Sequence, residues 1–190
     1  MRKWAVIYSS TTGNTKAIAE EIAGTAGADL FRVQDAPADL SAYEVVALGY
    51  WLRRGGPDDL MKAYLPKVRN ACVILFQTHG ADVGSEHAVT SFARAAYLLG
   101  EDTEILGTFS AQGKLAPALI ARRRKSDPDD THNSPEARER WVRAAEHPNE
   151  EDRAAAREFV HKMEHKLDLL EKFRREQAAR RHASSASPQK

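Results

Sequence analysis

The sequence predicts an α/β protein built on a doubly wound, five-stranded parallel sheet. Three observations carry that prediction. Short apolar runs of strand length recur along residues 1–109, segments with helical spacing alternate with them, and polar loops follow the apolar runs. Runs that are apolar throughout, rather than alternating with polar residues, belong to strands covered on both faces, as parallel sheets require.

The first run, Ala5-Val6-Ile7-Tyr8, ends in the polar segment Ser9 to Asn14. Thr15 to Ala23 then places Ile18, Ala19, Ile22 and Ala23 on one helical face and Lys16 and Glu20 on the other, with Gly24 or Gly27 as the stop. Asp29 to Val33 reads as a second strand. Tyr43 to Gly49 reads as a third, ending in a loop rich in glycine and arginine from Tyr50 to Pro57. Asp58 can cap a helix whose apolar stripe is Leu60, Met61, Tyr64 and Leu65, and Pro66 ends or kinks it. Ala71 to Phe76 is the fourth strand, followed by a loop from Gln77 to Gly84. Ser85 opens a helix reaching about Leu99, and Thr103 to Phe109 is the fifth strand.

After the fifth strand the alternation stops. Residues 110–149 hold Gly113, Pro117, Pro128, Pro135 and Pro148 together with the basic run Arg122-Arg123-Arg124-Lys125, leaving room for short helices only. From Asn149 a long helix begins, where Glu150, Glu151 and Asp152 suit its positive N-terminal end. Its stripe of Phe159 or Val160, Met163, Leu167, Leu170 and Phe173 is suited to close the last uncovered part of the sheet. Arg174 to His182 has no such stripe, and Ala183 to Lys190 is expected to be disordered. The organisation is therefore a single domain over residues 1–173, carrying an insertion at 110–149, with a charged helix end and tail over 174–190.

Composition excludes several function classes. The 190-residue chain has a net charge of +1, but residues 1–119 carry 11 basic and 13 acidic side chains against 17 and 14 in the remainder. A single cysteine rules out a disulfide framework, a CxxC pair and a cysteine-rich metal site, so redox chemistry requires a bound cofactor. Cys72 lies within an apolar strand and reads as an inert core residue. No apolar stretch approaches the roughly 18 residues of a membrane span, and the N-terminal run is too short for a signal peptide, so a cytoplasmic protein is expected. Arg174, Arg175, Arg180 and Arg181 have no interleaved aromatics and the net charge is small, which argues against nucleic acid. His161 and His165 lie four apart on the last helix without an evident third metal ligand, and read as surface residues.

The chemistry concentrates between the first strand and first helix. Ser9-Ser10-Thr11-Thr12-Gly13-Asn14-Thr15 brings hydroxyls, an amide and backbone N–H groups to a helix N-terminus, a ready anion site. The loop contains no lysine, so it is not a GxxxxGK[ST] loop, and it contains no GxGxxG fingerprint. Neutral donors without a cation suit a small phosphomonoester.

Val6-Ile7-Tyr8 followed by Ser10, Gly13, Thr15, Ala19 and Ile22 resembles the N-terminal signature of the flavodoxin family. That resemblance implies strand order 2-1-3-4-5 with FMN at the switch point between strands one and three, over residues 1–109 and again for the closing helix. It also implies an FMN-binding electron carrier working with a redox partner protein, and two further loops that clasp the isoalloxazine ring. Here those loops supply Tyr50, Trp51, Leu52, Arg53, Gly55 and Gly56, then Thr78, His79 and Gly80. Tyr50 and Trp51 are candidate stacking partners, and Gly55-Gly56 permits close backbone approach.

Departures from the family pattern are equally informative. Electron-carrying members surround the flavin with acidic residues, whereas this chain offers Arg53 and Arg54, which favour an anionic reduced flavin if they face it and do little if they face solvent. The second loop presents His79 and Asp82, with His87 beyond. His79 reads either as a hydrogen-bonding or proton-donating group or as a solvated loop histidine. Arg122 to Lys125 reads as a receiver of carboxylates or phosphates, or as a basic turn balanced by Asp127, Asp129 and Asp130. An alternative activity follows: an FMN-dependent oxidoreductase acting on an anionic small-molecule substrate, such as a tetrapyrrole (haem, bilin or protoporphyrinogen), bound beneath residues 110–149.

Overall fold

The structure is a computed structural model describing residues 2–70, 72–127 and 130–185. Its elements are β1 (Trp4–Tyr8), α1 (Asn14–Ala26), β2 (Asp29–Arg32), β3 (Val45–Arg53), β4 (Gly56–Pro57), α2 (Asp59–Tyr64), a short 3-10 turn (Leu65–Lys67), β5 (Cys72–His79), α3 (Glu86–Leu98), β6 (Glu104–Gln112), α4 (Pro117–Arg123), α5 (Pro135–Ala144) and α6 (Glu150–Ser185). The sheet runs β2-β1-β3-β5-β6, parallel throughout, with the two-residue β4 pairing antiparallel to β3. Setting β4 aside, this is the expected order 2-1-3-4-5.

Each strand face buries against its own helix layer. Trp4, Val6, Val45, Ala47, Ile74 and Phe76 pack with Ile18, Ile22, Ala156 and Val160 beneath α1 and α6. Ile7, Val46, Leu48, Val73 and Leu75 pack with Met61, Leu65 and Ala95 beneath α2 and α3. Two glycines let layers meet. A Cβ at Gly49 would lie 2.0 Å from the Phe76 ring, and one at Gly107 would lie 2.4 Å from Met163 Sδ of α6.

Electrostatics holds α6 in register. Arg2, just before β1, reaches Glu164 at 2.7 Å, Asp168 at 2.8 Å and Glu171 at 2.9 Å on successive turns. The start of α6 is a reciprocal cap: Asn149 Oδ1 accepts from the Asp152 amide at 3.1 Å, and Asp152 Oδ2 accepts from the Asn149 amide at 2.8 Å.

Several boundaries differ from expectation. β3 continues to Arg53 and folds back as β4, so most of the segment read as a loop from Tyr50 to Pro57 is a hairpin. β5 continues through Gln77 and Thr78 to His79, and β6 through Ser110 to Gln112. Leu60 and Phe173, placed on buried stripes, are 49% and 58% exposed. Helix α6 reaches Ser185, into the segment expected to be disordered; residues 186–190 of that segment lie outside the described residues. Cys72 is partly buried at the start of β5 rather than fully enclosed, and burial pushes its thiol up.

Candidate functional site

The loop from Ser9 to Asn14 leaves β1 at the C-terminal edge of the sheet and enters α1 through Gly13, whose φ of 90° requires a residue without a Cβ. No side chain caps α1 and no acidic residue occupies its first turn, so its positive end is left open to an anion. Thr11, Thr12 and Gly13 are exposed, while Asn14 and Thr15 are buried. Lys16 turns away to pair with Glu20 at 3.4 Å. The donors that remain are neutral amides and hydroxyls, which fit the phosphate of FMN.

Ser9 does not share that role. Its hydroxyl is buried and donates to the Asp58 carboxylate, which also accepts from the Leu60 and Met61 amides at 3.1 and 3.4 Å. Since the Ser9 proton is committed to a carboxylate, the side chain has none to give a phosphate. Thr15 and Thr78 form the complementary case, with their hydroxyls 2.9 Å apart and both buried. When Thr78 donates to Thr15, the Thr15 proton is released toward the loop.

The hairpin separates the two predicted stacking residues. Strand period two places Trp51 on the face of Val45 and Ala47, beneath α1, with Thr78 as its register partner. Trp51 is half-buried. Tyr50 points to the opposite face and is fully buried, with its ring 6.3 Å edge-on to Phe92 and its hydroxyl 3.4 Å from Ser91 Oγ. Burial pushes that phenol well above its usual range. Tyr50 is thus a core residue and not a stacking partner.

At the hairpin tip Arg54 and Gly55 both have positive φ, 51° and 78°, as a two-residue type I′ turn demands. Arg94 of α3 fills the space beneath, donating to the Arg54 carbonyl at 3.0 Å. A Cβ at Gly55 would lie 2.7 Å from that guanidinium. Arg53 forms an ion pair with Asp59. Of the two arginines expected beside the flavin, Arg53 is therefore neutralised by a neighbour. Leu52 is half-buried on the Tyr50 face.

The ends of β5 and β6 are joined by polar side chains. His79 is 6% exposed, with Nδ1 3.0 Å from the Ala81 carbonyl and Nε2 2.6 Å from Ser110 Oγ. A carbonyl only accepts, so Nδ1 carries the proton and Nε2 accepts from Ser110. Gln77 Nε2 donates to the Ala88 carbonyl at 2.7 Å and lies 3.4 Å from Ser110 Oγ. Both His79 nitrogens are occupied inside the protein. Its side chain is neither a solvated loop group nor a donor presented to the ring.

Burial holds the His79 pKa below its ordinary value near 6.5. The stability due to neutral His79 is complete above that value and is lost as pH falls through it toward the lowered folded-state pKa. Urea denaturation between about pH 5 and pH 8 is expected to show a steeper loss below pH 6.5 in wild type than in His79→Gln. Parallel curves for the two proteins would contradict this.

The insertion begins and ends against the anion loop. Gly113 N donates to the His79 carbonyl at 2.9 Å, Asn14 Nδ2 donates to the Lys114 carbonyl at 2.9 Å, and Lys114 N donates to the His147 carbonyl at 3.0 Å. His147 in turn holds Asp152 at the start of α6, Nδ1 to Oδ2 2.5 Å. Two glycines permit the crossing: a Cβ at Gly113 would lie 2.5 Å from Asn14 Nδ2, and one at Gly80 would lie 2.4 Å from Leu115. Beside this contact Asn14 Oδ1 and Gln112 Nε2 are buried without a protein partner.

The predicted residues thus divide. Ser10, Thr11, Thr12, Gly13, Asn14 and Thr15, with Trp51 and Thr78, converge around the N-terminus of α1. Arg53, Gly55 and Gly56 form the hairpin tip, and Gly80 supports Leu115. Sequence reasoning missed Asp58 as the clasp on Ser9, and missed Gln112 to Leu115 as a wall of the site. The first could be read only as a helix cap, since 49 residues separate Ser9 from Asp58. The second had no signal beyond Gly113.

The sequence profile of the flavodoxin domain matches residues 5–161. A flavodoxin-like domain-containing protein BilS from Clostridioides difficile is 32% identical over 176 residues, covering 88% of this chain and 99% of that one. A protein of the same name from Clostridium symbiosum is 28% identical over 180 residues, covering 83% and 94%. Among solved structures, a flavodoxin of Streptococcus pneumonia TIGR4 superposes with a TM-score of 0.54 at 15% identity, covering 86% of this chain and 99% of that one, a likeness of fold. With a profile that runs from β1 through the insertion into α6, the chain belongs to the flavodoxin family.

Proposed function

We infer that this protein is an FMN-binding electron carrier that passes electrons between a reductase and an acceptor. The observation that carries this reading is the open N-terminus of α1, ringed by neutral donors and set beside the half-buried Trp51. Ser10, Thr11, Thr12 and Thr15 with the loop amides would hold the phosphate, and Trp51 would pack on the ring. The bound flavin supplies the redox chemistry. The chain orients it, excludes water along Trp51 and anchors the phosphate through oriented amides at low reorganisation cost.

Titration of apo-protein with FMN tests this. FMN fluorescence is expected to be quenched, riboflavin to bind far more weakly for lack of a phosphate, and Trp51→Ala to weaken FMN about tenfold, the equivalent of one aromatic stack. Equal affinity for FMN and riboflavin would remove the phosphate role, and no quenching would remove the reading. The alternative, an oxidoreductase acting on a bound anionic substrate such as a tetrapyrrole, needs an enclosed pocket near α4. The groove there, lined by Pro117, Ile120, Ala121, Arg124 and Lys125, is open to solvent, which favours the carrier.

A further inference from the structure

Helix α4 stands apart from both cores. None of its residues is buried, although Leu119 and Ile120 are apolar. Its last turn and the following residues, Arg122, Arg123, Arg124 and Lys125, contain no carboxylate, and among the described residues these four form no ion pair. Arg140 of α5 adds to the cluster. Burial first, and then the like charges of Arg140 and Arg122, lower the Arg123 pKa, and the nearby Asp130 offsets this only in part.

The chain tethers this charge to the anion loop: Lys114 accepts from Asn14 and α4 starts three residues later, so the backbone of Arg122 to Lys125 lies no more than roughly 30 Å from Asn14. The hairpin tip on the same edge of the sheet adds Arg54 and Arg94, also without carboxylate partners among the described residues. Two basic projections therefore rise from the edge where the cofactor belongs. Along α4 an open, partly apolar groove offers area without enclosure, which suits a protein face more than a small molecule.

We propose that α4 and the residues after it, Pro117 to Lys125, form the docking surface for a redox partner whose own electron-transfer edge is acidic. This rests on the electron-carrier reading and reverses the polarity of the family members whose flavin is ringed by acids. Complementary charge steers encounter and orientation, so association should fall steeply with salt, while Pro117, Ile120 and Ala121 supply the apolar centre.

Two haem proteins of opposite surface charge serve as probes: acidic cytochrome b5 and basic cytochrome c. With 15N-labelled protein, cytochrome b5 is expected to shift the amides of residues 118–125 at low salt, with affinity falling about tenfold between roughly 20 and 500 mM salt. Reduced holo-protein should pass one electron to each ferric haem of cytochrome b5, with the same salt dependence. The variant Arg122→Glu/Arg124→Glu/Lys125→Glu, which leaves the anion loop untouched, should weaken cytochrome b5 at least tenfold and remove the salt slope. Preference for cytochrome c, or cytochrome b5 binding unmoved by the variant, would overturn the proposal. So would tripolyphosphate shifting the same amides while cytochrome b5 does not, since that marks a small-anion site. The amide map is read on apo-protein as well, so a failure to bind FMN and a failure of this surface are told apart.

Discussion

Thr12→Glu is expected to abolish FMN binding while leaving the protein folded. Thr12 is exposed in a loop that holds no cation, at the mouth of an uncapped helix N-terminus. Affinity for a phosphate there depends on amides and hydroxyls alone. A carboxylate set about 4 Å from a phosphate repels it by roughly 4 kcal/mol per pair of unit charges at an effective dielectric near 20, and it competes for the same amides. The expected loss is at least about a hundredfold in affinity, or nearly 3 kcal/mol. Fluorescence titration reads the loss, and far-ultraviolet circular dichroism shows whether the fold is kept. Thr12→Ser retains a hydroxyl and should bind within a few-fold of wild type. A Kd for Thr12→Glu within tenfold of wild type would mean that the phosphate lies elsewhere.

Asp58→Ala should produce the largest loss of stability among single changes at the site. The buried carboxylate caps α2 through two amides and accepts the Ser9 hydroxyl. A lost cap costs about 1 kcal/mol, and a hydrogen bond to a buried charged group about 1.5 to 3 kcal/mol. The sum, roughly 3 kcal/mol, is to be measured by urea denaturation. Ser9 and Asp58 share one bond, so the loss in Ser9→Ala/Asp58→Ala should fall short of the sum of the single losses by about 1 kcal/mol or more. Additive losses, or a total under about 1 kcal/mol, would show that this clasp between the anion loop and α2 contributes little. Asp58→Ala should also weaken FMN, because Ser9 anchors the exit of β1 from which the loop departs.

How much of this was legible in the sequence depended on whether apolarity carried the signal. The strands were found by their apolar runs, and the reading stopped three or four residues short in β3, β5 and β6. On β5 and β6 the missing residues include buried polar ones, Gln77, Thr78 and His79 on β5 and Gln112 on β6. On β3 the run stays apolar through Tyr50, Trp51 and Leu52, whereas the reading ended at Gly49. Gln77 and His79 reach Ser110 and nearby carbonyls and Thr78 reaches Thr15, while Gln112 Nε2 has no partner among the described residues. Tyr50 and Trp51 show the cost of that error. In a loop either aromatic can face a ligand, but in a strand alternate residues point to opposite faces, and only Trp51 is left on the face beneath α1. The α6 stripe erred at its far end because helix and strand differ in length. At 1.5 Å per residue the 36-residue helix extends about 54 Å, well past a nine-residue strand of about 30 Å, which leaves Phe173 without a surface to cover.

By itself the sequence determined the α/β class, the strand order through the family resemblance, and an anion loop whose donors are neutral. Those properties are local: apolar runs, helical spacing and turn residues act over a few positions, and they are written consecutively in the chain. Only the tertiary structure decided which of those residues face the cofactor edge. It committed the Ser9 proton to Asp58, turned Tyr50 into the core, neutralised Arg53 with Asp59 and brought the insertion back to Asn14. Apart from the Arg53–Asp59 pair, which the hairpin brings together, these are pairings between residues distant in sequence, set by strand parity and register, and no local pattern encodes them.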